Sequence, residues 1–418
     1  MGCICSLFYC ETIIMIKQTQ TKMFDFSDVG LDFCAGSKTK FPEVFKKMLV
    51  TGFNPQTVSS FATTGDQITL TYGVSHGYKA DRILAVTASG GFNKEVYIDS
   101  VTSNTVTCTV LDGDTSGLTG TINTKVASLG WSLEYEVGNI HIYKFKAMDE
   151  SELYLRLCYQ DVTTRRNCIS PCVGKTADLV AGTITDANAL AENTSITSPN
   201  AGFKWEFQTA ASSTFDGYTY SQGYATYGKG SVIGSPYHLV ILSNGNTNNI
   251  RAMTNGILPT ACFNYDKLKY PALFGYTYGN ITTAFDNYEL GNQRIYIGSV
   301  SVVCETTGSQ SSNYAFDSVF NKSSYLSSAL DNFNTTTAEP LSIYEDSTGQ
   351  IVGFAYGAFK VRSASSTLYP TNFQQTPSIT VDVDFEHSII VHAGGSTGTE
   401  SSNGYFLAFP LEEINLGY

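Results

Sequence analysis

The chain has 418 residues, 42% of them hydrophobic, more than one compact core holds, so two or more domains are predicted. A formal net charge of −12 argues against a basic nucleic-acid-binding surface, because phosphate binding needs clustered Lys and Arg. Charged residues are only 15% and aromatics reach 13%, and this mixture, rich in Thr, Ser, Asn and Gly, favours strands and turns over helices.

Residues 1–23 read as a leader or a mis-assigned start. MGCICSLFYCETIIMIKQTQTK is apolar but too short to span a membrane, and it lacks a basic n-region and an A-x-A site. MGCICS fits the myristoylation pattern, with Cys3 and Cys5 as palmitoyl acceptors. Translation beginning at Met15 or Met23 is the simpler reading. No other stretch reaches transmembrane length, so no membrane partner is expected for the body of the protein.

Residues 24–172 are predicted to form an N-terminal β domain with one helix. FPEVFKKML (41–49) places Phe41, Val44, Phe45, Met48 and Leu49 on one face, with Pro42 in the first turn and Gly52 as a stop. QITLTYGV (67–74) and ILAVTASG (83–90) alternate as strands, and VYIDSVTSNTVTCTVLDGD (96–114) holds a hairpin around Ser103-Asn104. Regular short strands of this kind suggest a small sandwich or barrel. Residues 139–159 read as a hairpin, with Leu153, Leu155 and Leu157 facing the core and Trp131 and Tyr143 packed nearby.

Residues 173–200 are small and polar, and read as a linker or long loop. Residues 201–418 read as a larger antiparallel β domain. It opens with FKWEF, and strands are predicted at 237–242, 294–303, 351–361, 378–392 and 405–409, with EDSTGQ (345–350) as a hairpin loop. SSYLSSALDNF (323–333) has helical spacing. The expected class is mainly β: a short N-terminal helix, a small β-sandwich or barrel, then a larger antiparallel β domain.

Candidate chemistry is sparse. Cys158, Cys168 and Cys172 are the only cysteine cluster beyond the leader, with no second pair and no nearby His for zinc, so reduced thiols are favoured over a local disulfide. DGDTSG (112–117) lacks the later acidic ligand of a calcium loop and reads as a β-turn. GGSTG (394–398) fits G-x-S-x-G but precedes another strand where a nucleophile elbow needs a helix. Asp382, Asp384 and Glu386 alternate along one strand as a wet face or an edge-protecting charge stripe. The Arg165-Arg166 doublet reads as a solvated turn and His76 as a turn residue. No P-loop, dinucleotide fingerprint or metal spacing occurs, so no cofactor, no metal and no enzymatic activity are expected. The Tyr-rich stretch YTYSQGYATYGKG (218–230) is the non-catalytic candidate: Tyr218, Tyr220, Tyr224 and Tyr227 would offer amphipathic contact area to a subunit or a sugar, if they are not simply core strand and turn.

The order of a helix, LVTGFNPQTV (49–58), a strand pair turning at SHGY (75–78), LGW (129–131), a Tyr-bearing strand and LYLRLCYQD (153–161) resembles a family of tailed-bacteriophage virion structural proteins. The resemblance covers roughly residues 41 to 165. Cys158 and Tyr159, and NCISPCVGK after them, depart from the family's plainer pattern, and the C-terminal half has no match. It implies a tail or baseplate component of the virion, assembled in the host cytoplasm, with no catalytic residues. Its expected partners are copies of itself, as a homo-oligomer, and other virion proteins. The alternatives are a receptor- or glycan-binding adhesin, at a tail tip or on a cell, and a glycan hydrolase, which needs paired carboxylates across a cleft.

Overall fold

The computed structural model describes residues 20–32, 40–162, 167–199, 202–207, 230–246, 249–277, 293–304, 333–363, 378–381, 388–394 and 405–411. It is mainly β, with 53% strand and 7% helix. β1 (Lys22–Asp25) is followed by α1 (Phe41–Lys46), which opens on Pro42 and buries Phe41, Val44 and Phe45. The helix widens into a π-helical turn over Lys47–Thr51 and stops at Gly52, whose N–H donates to Lys47 O.

β2 (Phe53–Thr57), β3 (Ser60–Thr64), β4 (Gln67–Thr71), β5 (Ile83–Ala88), β6 (Asn93–Val101), β7 (Thr105–Thr109) and β8 (Ile122–Val126) form one antiparallel sheet in the order β2-β8-β5-β6-β7-β4-β3. Its two ends are neighbours in the chain. Only Val58 and Ser59 separate β2 from β3; the Val58 N–H donates to Ile122 O and the Ser59 N–H to Thr71 O. One continuous strand therefore borders both edges, and the sheet closes into a barrel, the arrangement that removes exposed edges. Alternate residues fill it: Ile68 and Leu70, Leu84 and Val86, Val96 and Ile98, Val106 and Cys108.

β9 (Ser132–Val137), β10 (Ile140–Lys146), β11 (Glu152–Tyr159) and β12 (Cys168–Gly174) follow as a meander. The predicted hairpin is present, in the register Tyr143↔Leu155 and Phe145↔Leu153. Leu153, Leu155 and Leu157 are buried, and Trp131 stacks on Phe145 with ring centroids 4.6 Å apart. Residues 173–200 carry a small ribbon, β13 (Ala177–Asp178) with β14 (Thr183–Ile184), and are pinned at several points. The buried Arg156 guanidinium donates to Gly182 O, Asn193 O and Ile196 O, and the Tyr270 hydroxyl donates to Asp186. β15 (Trp205–Glu206) then pairs with β12 as the fifth strand of that sheet.

The large curled sheet contains β16 (Gly230–Ser235), β17 (His238–Asn246), β18 (Asn249–Leu258), β19 (Thr260–Cys262), β20 (Ala272–Tyr276), β21 (Gln293–Ile297), β22 (Val300–Cys304), β23 (Phe333–Glu345), β24 (Ile351–Ser363), β25 (Ser378–Val381), β26 (Ser388–Gly394) and β27 (Tyr405–Pro410). β1 adds to it beside β16, in the register Met23↔Ile233. β18 passes through Pro259, which has no N–H to donate, leaves β20 and continues as β19 against β24. This second strand switch curls the sheet. Two predicted strands are each a hairpin. Residues 294–303 turn at Gly298 (φ +56°), and in the other the described ends, β25 and β26, pair antiparallel as Val381↔Ser388, with 382–387 outside the described residues. EDSTGQ does join β23 to β24. The predicted helix at 323–332 lies outside the described residues, and Phe333 begins β23.

One hydrophobic core joins the barrel, α1, the five-stranded sheet and one face of the large sheet, from Phe24 through Trp131 and Trp205 to Leu273. A second fills the other face of the large sheet, from Met23 to Phe409. Strand pairing and packing therefore cross the positions 23, 172 and 200 at which composition shifts.

Candidate functional site

Tyr218, Tyr220, Tyr224 and Tyr227 lie outside the described residues, as do Asp382, Asp384 and Glu386, Arg165-Arg166, Cys3, Cys5, and GGSTG beyond Gly394. The other candidates can be placed. Cys158, Cys168 and Cys172 are buried free thiols. Burial pushes Cys158 and Cys172 up to about 12, so neither supplies a thiolate nucleophile near neutral pH. In DGDTSG, Asp112 and Asp114 both grip the Lys94 ammonium, at 2.8 and 2.9 Å. Among the described residues no group of three or more His, Cys, Asp or Glu side chains is placed to hold a metal ion.

The strings LVTG and LGW meet at one junction, and SHGY meets Asn54, which follows LVTG in the same run. The Leu129 N–H donates to Met48 O, the Trp131 N–H to Leu49 O and the Ser128 hydroxyl to Val50 O. Gly52 has φ +70° and ψ −179°, a conformation open essentially to glycine alone, and a Cβ there would sit 2.3 Å from Val126 O. The Trp131 indole N–H reaches Ser235 O in the large sheet at 2.9 Å. Asn54, with φ +53°, donates its amide to His76 O and accepts the Tyr78 hydroxyl at its carbonyl.

His76 is more than the turn residue predicted: it is 2% exposed and organises the SHGY turn. Its Nε2 faces the carbonyls of Thr102 and Thr105 at 3.0 and 3.2 Å, and its Nδ1 accepts the Tyr78 N–H at 2.9 Å. Two carbonyls at Nε2 and an N–H at Nδ1 define the neutral Nε2–H tautomer. Around it, the Tyr72 and Tyr78 hydroxyls both meet Thr124 Oγ1, and burial raises both phenols above their ordinary range.

A polar clasp locks the N-terminal segment to the barrel. Arg82 forms a bidentate pair with Asp28, at 2.9 and 3.2 Å, and Lys79 approaches the same carboxylate at 3.2 Å. Burial favours the neutral acid, but the charge and hydrogen bonds of Arg82, the charge of Lys79 and the Asp25 N–H outweigh it and hold Asp28 below the ordinary carboxylate range. At the other end Lys22 is buried against Glu95 at 2.7 Å and also donates to Ser128 O. Burial lowers the Lys22 ammonium, opposed by Glu95.

One part of the described surface collects large apolar side chains on adjoining strands. Phe263 and Tyr265, 61% and 56% exposed, follow β19; Ile351 and Phe354, 39% and 41% exposed, lie on β24. β19 pairs with β24 there, with Phe354 opposite Ala261 and the Phe263 N–H donating to Val352 O. Aromatics presented this way on a rigid sheet suit contact with another macromolecule. The sequence hinted at half of it: FNYDK places two aromatics inside a polar turn. Ile351 and Phe354 lie in a run that reads as any core strand. The clasp had no local signal, because Asp28 and Arg82 are 54 positions apart. A scan against protein-family models and a search of curated proteins found no match to the chain.

Proposed function

We propose that the chain is a structural protein of a tailed-bacteriophage virion, a tail or baseplate component that works by self-assembly and by contact with other virion proteins. The observation that carries the reading is the junction. Three of the strings that resemble the virion family act as architecture: LVTG and LGW are joined by backbone hydrogen bonds beside a glycine-only turn, SHGY is fastened to Asn54, and Trp131 stacks on Phe145 and bonds into the large sheet. The buried His76, Asp28 and Arg82 serve the same joints. The Phe263–Tyr265–Ile351–Phe354 surface then supplies a contact face on a rigid support.

The test is the mass of the purified protein by light scattering, with negative-stain images of the same sample. A discrete ring or trimer supports the reading. A monomer at all concentrations, together with saturable binding to host-surface glycans, would replace it with the adhesin reading. Phe263→Ser and Phe354→Ser should lower the oligomer population while leaving the circular dichroism unchanged.

A further inference from the structure

The aromatic face beside β19 is shaped by an irregularity in β24. Leu341, Ile343 and Ala355 belong to the second core, which leaves Ser342, paired with Phe354, and Tyr344, paired with Ile351, on the outer side of the sheet. Ile351 and Phe354 are three positions apart, and on a plain strand they would point to opposite faces. The register shifts between Ile343 and Tyr344, so Val352 is an extra residue on β24; it is buried, and Ile351 and Phe354 both turn outward. On the far side of β24 from β23, Ala261 lies opposite Phe354 and Phe263 beside Val352, both of them exposed.

Charge of opposite sign borders this face on its two sides. On the β23 side stand Glu345 and Asp346. The N–H groups of Ser347 and Thr348 and their hydroxyls donate to the Glu345 carboxylate, and the Ser301 hydroxyl donates to Asp346. On the β19 side the exposed Lys267 and Lys269 follow Tyr265. Lys269 pairs with Asp266 at 3.1 Å, and Lys267 makes no ion pair with the described residues. The chain has 25 Lys and Arg against 37 Asp and Glu, so copies repel one another in general and attract only where a basic group meets an acidic one.

Building on the assembly reading above, we propose that this face binds the same face of a second copy, across a twofold axis that lies between the copies and runs along β24. That rotation brings the two outer faces together and exchanges the β23 side with the β19 side. Phe354 then meets Phe354, Ile351 meets Phe263, and Lys267 of each copy meets Glu345 and Asp346 of the other. Such a contact is isologous, and each unlike pairing occurs twice. An unrelated partner needs an apolar face but no opposite charges on its two sides. The aromatics supply affinity, and the charged rim sets register and partner choice. The twofold alone gives a dimer; with a cyclic contact elsewhere on the chain it joins two rings or two trimers back to back.

The test is a charge exchange on the full chain. Two differently tagged copies carry Lys267→Glu and Asp346→Lys, and circular dichroism checks that each is folded. Each variant alone sets like charges opposite each other and should raise the dimer dissociation constant about tenfold or more, read by light scattering over a concentration series. Mixed, the two variants have one unmodified rim and one in which the exchanged charges face each other, so they should regain most of the lost affinity and copurify through either tag. Weakened variants that mixing does not rescue overturn the proposal. Salt gives a reading on the unmodified protein: association should weaken as ionic strength rises, and a dimer indifferent to salt overturns the charged rim. Variants that associate as tightly as the unmodified protein overturn this contact and leave assembly standing through another surface, whereas an unmodified chain that is monomeric at every concentration refutes both.

Discussion

His238 should make the protein lose stability as pH falls from 7 to 5. The side chain is 1% exposed, its Nδ1 lies 2.7 Å from the Ser235 hydroxyl, and burial pushes it down to about 3. In the unfolded chain a histidine titrates near 6.5. The folded pKa is lowered, so the neutral ring's contribution is complete above about 6.5 and is lost as pH falls towards the folded value, because the unfolded state binds the proton first. At pH 5 the loss from this residue is about 2 kcal/mol, and its limit, with 3.5 units between the two values, is about 5 kcal/mol. Urea denaturation midpoints at pH 8, 7, 6 and 5, at fixed ionic strength, measure it against His238→Asn, which keeps an acceptor near Ser235 and does not titrate. The variant is expected to be less stable at pH 8, and the gap should narrow by about 2 kcal/mol at pH 5. His141, also lowered by burial and partly restored by Glu136, titrates in both proteins and cancels. A gap that stays constant from pH 8 to 5 would show that His238 is solvated or charged in the folded state, and the reasoning fails.

Four further outcomes follow from the joints. Arg82→Met leaves the buried Asp28 with Lys79 and the Asp25 N–H but without its bidentate partner, and should cost about 3–5 kcal/mol in urea unfolding; the double variant with Asp28→Leu should recover much of that loss. Trp131→Ala removes the stack on Phe145 and the bond to Ser235 O and should cost about 3–5 kcal/mol by the same assay. Gly52→Ala forces a side chain into a glycine-only conformation and against Val126 O, costing at least about 1–3 kcal/mol from the dihedral alone, so the soluble yield should fall sharply. A chain started at Met23 lacks Lys22 and leaves Glu95 and Ser128 O without it, so its melting temperature should lie below that of a chain started at Met15, as read by calorimetry.

Local periodicity made the strands legible where one face is wet. The 139–159 hairpin is the clearest case: Leu153, Leu155 and Leu157 alternate with half-exposed or hydrogen-bonded neighbours, and a charged loop marks the turn. The helix at 41 was legible from Pro42, its apolar face and Gly52. Closure was not. Whether short strands make a sandwich or a barrel depends on Val58 and Ser59 carrying one strand from β8 to β4, and Pro259 carrying another from β20 to β24. Such non-local pairings leave no mark in a local window. FKWEF is a second pattern that local alternation does not explain. Its alternation suggests one wet face, yet Lys204 and Glu206 are fully buried and paired at 3.6 Å.

The residue types that invite a search for chemistry are those this fold uses as fasteners. A neutral histidine with both ring nitrogens engaged, an Arg–Asp fork under a lysine, and two tyrosines on one threonine would each pass for part of an active site if read from sequence spacing alone. In this structure each of these groups faces partners within the protein. Buried polar groups satisfied in this way fix orientation: a hydrogen bond breaks when an element rotates, whereas an apolar contact only slides. Joints of that kind hold the barrel, α1 and the two sheets in one arrangement. On the assembly reading proposed above, a fixed arrangement is what lets the contact surface around Phe263 meet its neighbours at a constant angle.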